Sequence, residues 1–493
     1  MKCDHKKAII IGAGIAGIAS AIRLRAQGLE VEVFEANDFP GGKLTAFDQE
    51  GFRFDAGPSL FTMPALVDEL FELMGENPRD HFHYMRLNHT CHYFWNDGTA
   101  FEAPADPEVF VATAAVTFKE SEANLRRHMR KAKWLYDKTH FIFLERSLHR
   151  FRNYLSLRVL KSFAQLWRMD LLKTMHSANQ RRLKNPKLVQ LFDRFATYNG
   201  SNPYRAPGIL NIIPALEHHF GTYLPEGGMH DITISLFELA KRHGVVFHFG
   251  QKVDKIVTGK RAQGVSVAGV LHPSDIIVSN MDIVPTYRKL LPHESAPERA
   301  LNQERSSSAI IFYWGIRANF PQLDLHNIFF SDHYREEFDF IFRKNSLHPD
   351  PTVYVNVTSK YVAGDAPEGS ENWFVMINAP GNKGQNLDGM VEEARKNIIR
   401  KLNVLLNRDL EELIATERVL DPRGIELNTS SFQGSLYGSA SNARMAAIFR
   451  HPNFNGNIPG LYFCGGSVHP GGGIPLCLNS ARIVAEEVKR KQA

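Results

Sequence analysis

The chain has 493 residues, 43% hydrophobic and 23% charged, with 36 glycines and 25 prolines, the composition of a globular protein and not of a disordered or fibrous one. Its 58 Lys/Arg against 53 Asp/Glu leave a formal charge of +5, too balanced over the whole length to argue for nucleic acid. Four scattered cysteines (Cys3, Cys91, Cys464, Cys477) without a CxxC frame suggest neither a disulfide framework nor a zinc site, so a reducing, cytoplasmic compartment and no bound metal are expected.

Near the N-terminus, Ala8-Ile9-Ile10-Ile11 is a short apolar run of the kind that forms a buried parallel strand. It leads into Gly12-Ala13-Gly14-Ile15-Ala16-Gly17 and then into Ile15, Ala19, Ile22 and Ala26 at helical spacing, ending at Gly28. A second strand, Glu30-Val31-Glu32-Val33-Phe34, ends on Glu35, 18 positions after Gly17. Strand, glycine turn, helix, strand and acid at this spacing form a dinucleotide-binding fingerprint. Gly12 permits the tight turn, Gly14 lets backbone approach a pyrophosphate, Gly17 lets helix pack on strand, and Glu35 accepts from ribose hydroxyls. The charge-free stretches 8–22 and 451–481 are respectively too short and too broken by glycine and proline to span a membrane.

Which dinucleotide is decided downstream. Pro40-Gly41-Gly42-Lys43 is a second glycine turn with a cation, followed by Asp55-Ala56-Gly57-Pro58-Ser59. This wording resembles the FAD-dependent amine oxidase and phytoene desaturase superfamily, which implies an α/β fold: a Rossmann-like FAD-binding domain with an interleaved α+β substrate domain. The resemblance makes Gly42, Lys43, Gly57, Pro58 and Ser59 cofactor-binding candidates beside Gly12, Ala13, Gly14, Gly17 and Glu35. Lys43 stands where many members carry arginine, so it offers a point charge instead of a planar fork.

Residues 119–187 differ from the rest. They hold 18 Lys/Arg against 5 Asp/Glu, a net +13 that leaves −8 for the remainder of the chain. Trp134, Tyr136, Phe141, Phe143, Phe151, Tyr154, Phe163, Leu166 and Trp167 interleave with the cations. Basic helices with aromatic faces suit an anionic lipid surface, and a solvated face packed on the substrate domain is the competing reading. Farther on, a helix carrying Ile232, Leu236, Leu239 and Ala240 returns to a strand at Gly244-Val245-Val246-Phe247-His248-Phe249, a connection that rejoins a parallel sheet.

At the C-terminal end, Gly460-Leu461-Tyr462-Phe463-Cys464-Gly465-Gly466 reads as a buried strand running into a turn. Ser467-Val468-His469-Pro470-Gly471-Gly472-Gly473-Ile474-Pro475 then opens a helix carrying Leu478, Ala481, Ile483, Val484 and Val488. Pro475 marks its first turn, and its positive N-terminal end suits the anionic edge of a reduced flavin. This run resembles the carotenoid desaturase family, most closely the subfamily acting on 1-hydroxycarotenoids as 3,4-desaturases. Asn199-Gly200-Ser201-Asn202-Pro203-Tyr204, Tyr223-Leu224-Pro225-Glu226-Gly227-Gly228-Met229 and Asp275-Ile276-Ile277-Val278-Ser279-Asn280 carry the same resemblance, which weakens between about residues 101 and 194.

The resemblance implies FAD as cofactor, backbone contact of Val253 with its adenine, and Gly465, Gly466, Gly473, Ile474 and Pro475 around the flavin. It implies a discontinuous FAD-binding domain at 1–105, 225–290 and 415–493, and a substrate domain at 106–224 and 291–414. A bilayer-dwelling carotenoid is the expected substrate, oxygen or a quinone the expected electron acceptor, and a peripheral membrane surface the expected partner, with no nucleic acid. Desaturation needs little acid–base machinery when the cofactor carries the redox step; where a side chain assists the proton, His469 is the candidate. Phytoene desaturation, carotenoid-end oxidation and non-catalytic isoprenoid escort by proteins of the same fold are the alternatives.

Overall fold

The computed structural model describes residues 6–154, 159, 162, 165–443 and 446–492. Arg158, Lys161 and Phe163 of the basic segment, and Cys3, lie outside the described residues.

Two sheets organise the chain. In the first, five parallel strands run in the order Leu461–Phe463, Ile276–Ser279, Lys7–Ile11, Glu30–Phe34, Val246–His248. Ile9 and Ile10 are completely buried because both faces of the sheet are covered, which explains the unbroken apolar run. On one face the helix Ile15–Ala26 packs against Ile474–Gln492 and Asp231–Arg242 through Ile18, Ile22, Leu236, Leu239, Leu478 and Val484. On the other, Ile9, Ile277, Leu461 and Phe463 meet Val253, Ile256, Val265 and Tyr287. Each such aliphatic side chain, fully buried, stabilises the fold by about 1.5–3 kcal/mol. No helix among the described residues is long and apolar enough to cross a membrane.

The second sheet has seven strands, in the order Ile414–Leu420, Ser308–Ile316, Glu371–Ala379, Val353–Asn356, His326–Phe329, His89–Phe94, Ala100–Pro104. All neighbours are antiparallel except His326–Phe329 with His89–Phe94, where Asn327 lies against His92. The domain boundaries expected at 105 and 415 differ from this pairing. The strands at 89–104 and at 414–420 join the sheet of the intervening segments, because their partners lie far away in sequence and only tertiary contact selects them. One face of this sheet packs through Ile310, Phe312, Trp314, Val353, Val355, Trp373 and Val375 against Ala394, Ile398 and Leu402 of the helix Leu387–Leu406. Its other face is turned toward the site.

Candidate active site

A cavity of about 1700 Å³ lies between the two sheets, above the ~300–1,000 Å³ of an ordinary ligand pocket and large enough for two big ligands at once. Its nucleotide side is lined by Gly12, Gly14, Glu35, Gly42, Lys43, Gly57, Pro58, Ser59, Val253, Gly465, Gly466, Gly473, Ile474 and Pro475. Three other residues singled out from the sequence, Ala13, Gly17 and His469, are not part of that lining.

The glycine turn is built for close approach. Gly12 sits at φ +95°, a conformation that L side chains rarely adopt. A Cβ on Gly17 would stand 2.1 Å from the Gly12 carbonyl oxygen, and one on Gly57 would stand 1.7 Å from that of Lys43. Glu35, 7% exposed, accepts from Ala13 N at 2.7 Å with one carboxylate oxygen and from Asn37 N at 2.9 Å with the other. The acid therefore braces the turn from behind, while each oxygen keeps a second lone pair for a ribose hydroxyl. Gly14 caps the first helix without a side chain, leaving first-turn N–H groups open to a phosphate. These donors, the small-residue cradle and the acid fit a dinucleotide.

Lys43 is half-buried, and its Nζ donates to the carbonyls of Ser435 and Leu436, each at 2.9 Å. Burial pulls its pKa down to about 8, against the opposing pull of Asp282. Arg450, 2% exposed and also in the lining, donates to the carbonyls of Tyr437, Gly466 and Ser439. It ties the 436–439 segment to the C-terminal glycine loop. Arg305 pairs with Asp282 nearby and donates to Ser435 Oγ at 3.0 Å. Sequence reasoning missed both arginines, since neither belongs to a motif; their signal is tertiary, a buried guanidinium among loop carbonyls.

The geometry corrects the expectation for His469. The ring is 1% exposed, stands behind the cavity wall, and its Nε2 meets the Arg146 carbonyl oxygen at 2.8 Å. Desolvation pushes its pKa down to about 3, so the imidazole is neutral and engaged with backbone, with no opening toward a substrate proton. Of the histidines near the start of the chain, His89 and His92 approach Asp324, and His333, Glu336 and His348 form a second such group; neither trio lines the cavity.

Across from the nucleotide side, strand alternation supplies a wall. Registers place Ile311 against Met376 and Leu420, Tyr313 against Phe374 and Arg418, and Ile328 against Tyr354 and Tyr93, so these side chains share one face. Except for Tyr93, all of them line the cavity, together with His326 and Cys91. The helical side is apolar, with Phe143, Leu144, Ile209, Leu210, Ile213 and Leu216. The basic segment reaches this compartment too: Thr139, Phe143, Leu166, Leu171 and Leu172 line it, and Leu172 is 78% exposed. Beside it, Trp167 is 83% exposed, and Trp134 lies under Lys131 Nζ at 4.0 Å.

A dinucleotide cradle opening into a largely apolar chamber defines an oxidoreductase whose bound cofactor does the redox chemistry. Residues 15–489 match the flavin-containing amine oxidoreductases. The chain is 54% identical over 489 residues, 99% of its length and 100% of the relative's, to a 1-hydroxycarotenoid 3,4-desaturase of Flavobacterium sp. (strain P99-3). It is 32% identical, with 98% of each chain covered, to a 4,4'-diapolycopene oxygenase of Methylomonas sp.. In fold it is similar to putrescine oxidase bound to putrescine (TM-score 0.64, 14% identity, 99% of each chain) and to an oxidoreductase from Methanosarcina mazei (TM-score 0.62, 16% identity, 98% of this chain and 100% of that one). The chain belongs to the flavin-containing amine oxidoreductase family, and its cofactor is FAD.

Proposed function

We propose that the protein desaturates a long polyene, placing a C3–C4 double bond in a 1-hydroxycarotenoid during carotenoid biosynthesis. The observation that carries this reading is the apolar chamber joined to the cofactor cradle, taken with the 54% identity to a desaturase of that substrate. When bound, FAD would supply the two-electron acceptor for a hydride from one carbon of the pair, the other carbon releasing a proton. The protein's own work is positional: the wall of Ile311, Ile328, Phe374 and Met376 and the helical side hold the chain, and exclude water from it. The electron acceptor proposed for the reduced cofactor is oxygen or a quinone. Carotenoid-end oxidation is the second reading, favoured by the 32% identical relative of that kind.

The cofactor contacts proposed are the fourteen nucleotide-side lining residues named above, with Ala13 and Gly17 shaping the turn. The proposed organisation keeps a discontinuous FAD-binding unit around the parallel sheet and a substrate unit around the larger one. Lys43 gives this a pH signature. Its pKa of about 8 without ligand means that the ammonium is lost above that pH, and a diphosphate anion favours the charged form. FAD affinity is therefore expected to be level below pH 8 and to fall as the pH rises beyond it, by up to about tenfold per unit. Titrating FAD into the apoprotein from pH 7 to 9.5 checks this; in Lys43→Met the slope disappears.

We propose further that the basic segment docks on an anionic bilayer, because Leu172 lines the chamber while largely exposed and Trp167 of the same segment is exposed as well. One assay tests the whole reading. FAD-loaded protein in anionic or neutral liposomes receives phytoene or a 1-hydroxycarotenoid, and products are separated with absorbance spectra. A red-shifted product from the hydroxylated substrate alone, with protein floating only on the anionic liposomes, is the expected result. Coloured products from phytoene overturn the substrate assignment, and equal recovery off both liposome types overturns docking.

A further inference from the structure

The C1 carbon that carries the substrate's hydroxyl is two bonds from C3, and the hydroxyl oxygen three. Whatever recognises it must therefore adjoin the part of the cavity where the redox step occurs. A chain of polar contacts runs from the nucleotide side of the cavity onto the face of the larger sheet. Ser59, on the nucleotide side, lies 2.7 Å from Tyr354 Oη, which in turn lies 2.8 Å from His326 Nδ1. All three residues line the cavity, and on the sheet face around His326 and Tyr354 the neighbours are Ile311, Ile328, Phe374 and Met376.

His326 is 4% exposed, and its Nε2 is buried without a hydrogen-bond partner among the described residues. The opposite ring nitrogen is fully engaged. Asn356 donates through Nδ2 to the Leu325 carbonyl at 2.8 Å and presents the same amide nitrogen to His326 Nδ1 at 3.3 Å. With donors from Asn356 and Tyr354 directed at it, Nδ1 is the acceptor, and the proton of the neutral ring sits on Nε2. Burial keeps that ring neutral by lowering its pKa to about 4. Arg194, one of the charged residues of the lining, holds its Nη2 against Tyr93 at 3.0 Å and Tyr198 at 2.9 Å, with Tyr198 donating to Glu217 at 2.8 Å, while its Nε has no partner among the described residues.

We propose that His326 is the specificity residue for the substrate's hydroxyl, donating from Nε2–H to its oxygen while Tyr354 and Asn356 fix the ring. The inference rests on the desaturase reading above and adds to it the group that distinguishes a hydroxylated polyene end from a hydrocarbon one. A buried polar group left unpaired by a substrate lacking the hydroxyl disfavours that substrate, which is how sites of this kind discriminate.

The test compares the 1-hydroxycarotenoid with its analogue carrying hydrogen in place of the hydroxyl, in wild type, His326→Phe and Tyr354→Phe. Three quantities are read: kcat/KM, the difference spectrum of bound polyene, and flavin absorbance as a measure of folding. Wild type is expected to prefer the hydroxylated substrate by about 100-fold or more. His326→Phe is expected to bring the ratio of kcat/KM values near one, chiefly through KM, with FAD still bound. Tyr354→Phe, which keeps the packing and frees the ring, is expected to lose part of the preference, and it carries the test where His326→Phe lacks flavin. Equal turnover of both substrates by wild type, or an unchanged ratio in the variants, overturns the role of His326 and leaves the desaturase reading standing. No product from either substrate overturns both.

Discussion

Gly17→Ala is expected to yield a colourless protein. The added Cβ would stand 2.1 Å from the Gly12 carbonyl oxygen and 3.1 Å from Asn280 Oδ1. Of these, Asn280 is a side chain that can turn away, whereas Gly12 is backbone inside the turn. The helix must then move off the Lys7–Ile11 strand, carrying its first-turn N–H groups away from the phosphates. Overpacking of this kind costs about 1–3 kcal/mol in stability, and displacing the phosphate-binding backbone is expected to weaken FAD binding by about 100-fold or more, roughly 2.7 kcal/mol. Gly456→Ala is the control, since its Cβ would meet nothing within 4 Å. Flavin absorbance after gel filtration and a denaturant midpoint distinguish the two; a yellow Gly17→Ala protein of native stability would refute the packing argument.

The second large effect is expected from Glu35→Gln, a substitution of nearly equal shape. The carboxylate accepts from Ala13 N through one oxygen and from Asn37 N through the other, at 2.7 and 2.9 Å. An amide keeps one acceptor and turns two donors toward the remaining N–H. One charge-assisted bond becomes a donor–donor clash, a loss of about 1.5–3 kcal/mol. Because the broken contact lies at Ala13 or just after the acid, FAD affinity is expected to drop about tenfold to a hundredfold, with the global fold retained. Fluorescence titration of the apoprotein with FAD gives the number directly; unchanged affinity would reduce Glu35 to an inert buried acid.

The nucleotide side was legible because each of its signals is local. A run such as Ala8-Ile9-Ile10-Ile11 is buried on both faces, so its apolar character is unbroken in the sequence itself. Gly12, Gly14 and Gly17 answer to constraints within one turn, and the start of the Ile474–Gln492 helix is marked by its own proline. His469 shows the limit of that approach. Its motif adjoins the cavity through Pro470, Gly472 and Gly473, yet the side chain itself turns to the Arg146 carbonyl, and nothing in the motif records which way it points.

The substrate side was hidden for a different reason. Its strands at 89–104, 308–316, 326–329, 353–356, 371–379 and 414–420 become a sheet only through pairings such as Asn327 with His92, across more than two hundred intervening residues. The cation lattice of Lys43, Arg305 and Arg450, and the contact chain Ser59–Tyr354–His326, are likewise assembled from distant segments. Sequence by itself determined the parallel sheet, the glycine cradle and its acid, since these follow from backbone sterics and helix-end electrostatics within short windows, and the flavin class followed from the resemblance those windows bear to a known family. Tertiary structure alone decided the sheet that walls the chamber, which polar side chains face it and which are turned away, because strand register and burial are set by contacts that no local window contains.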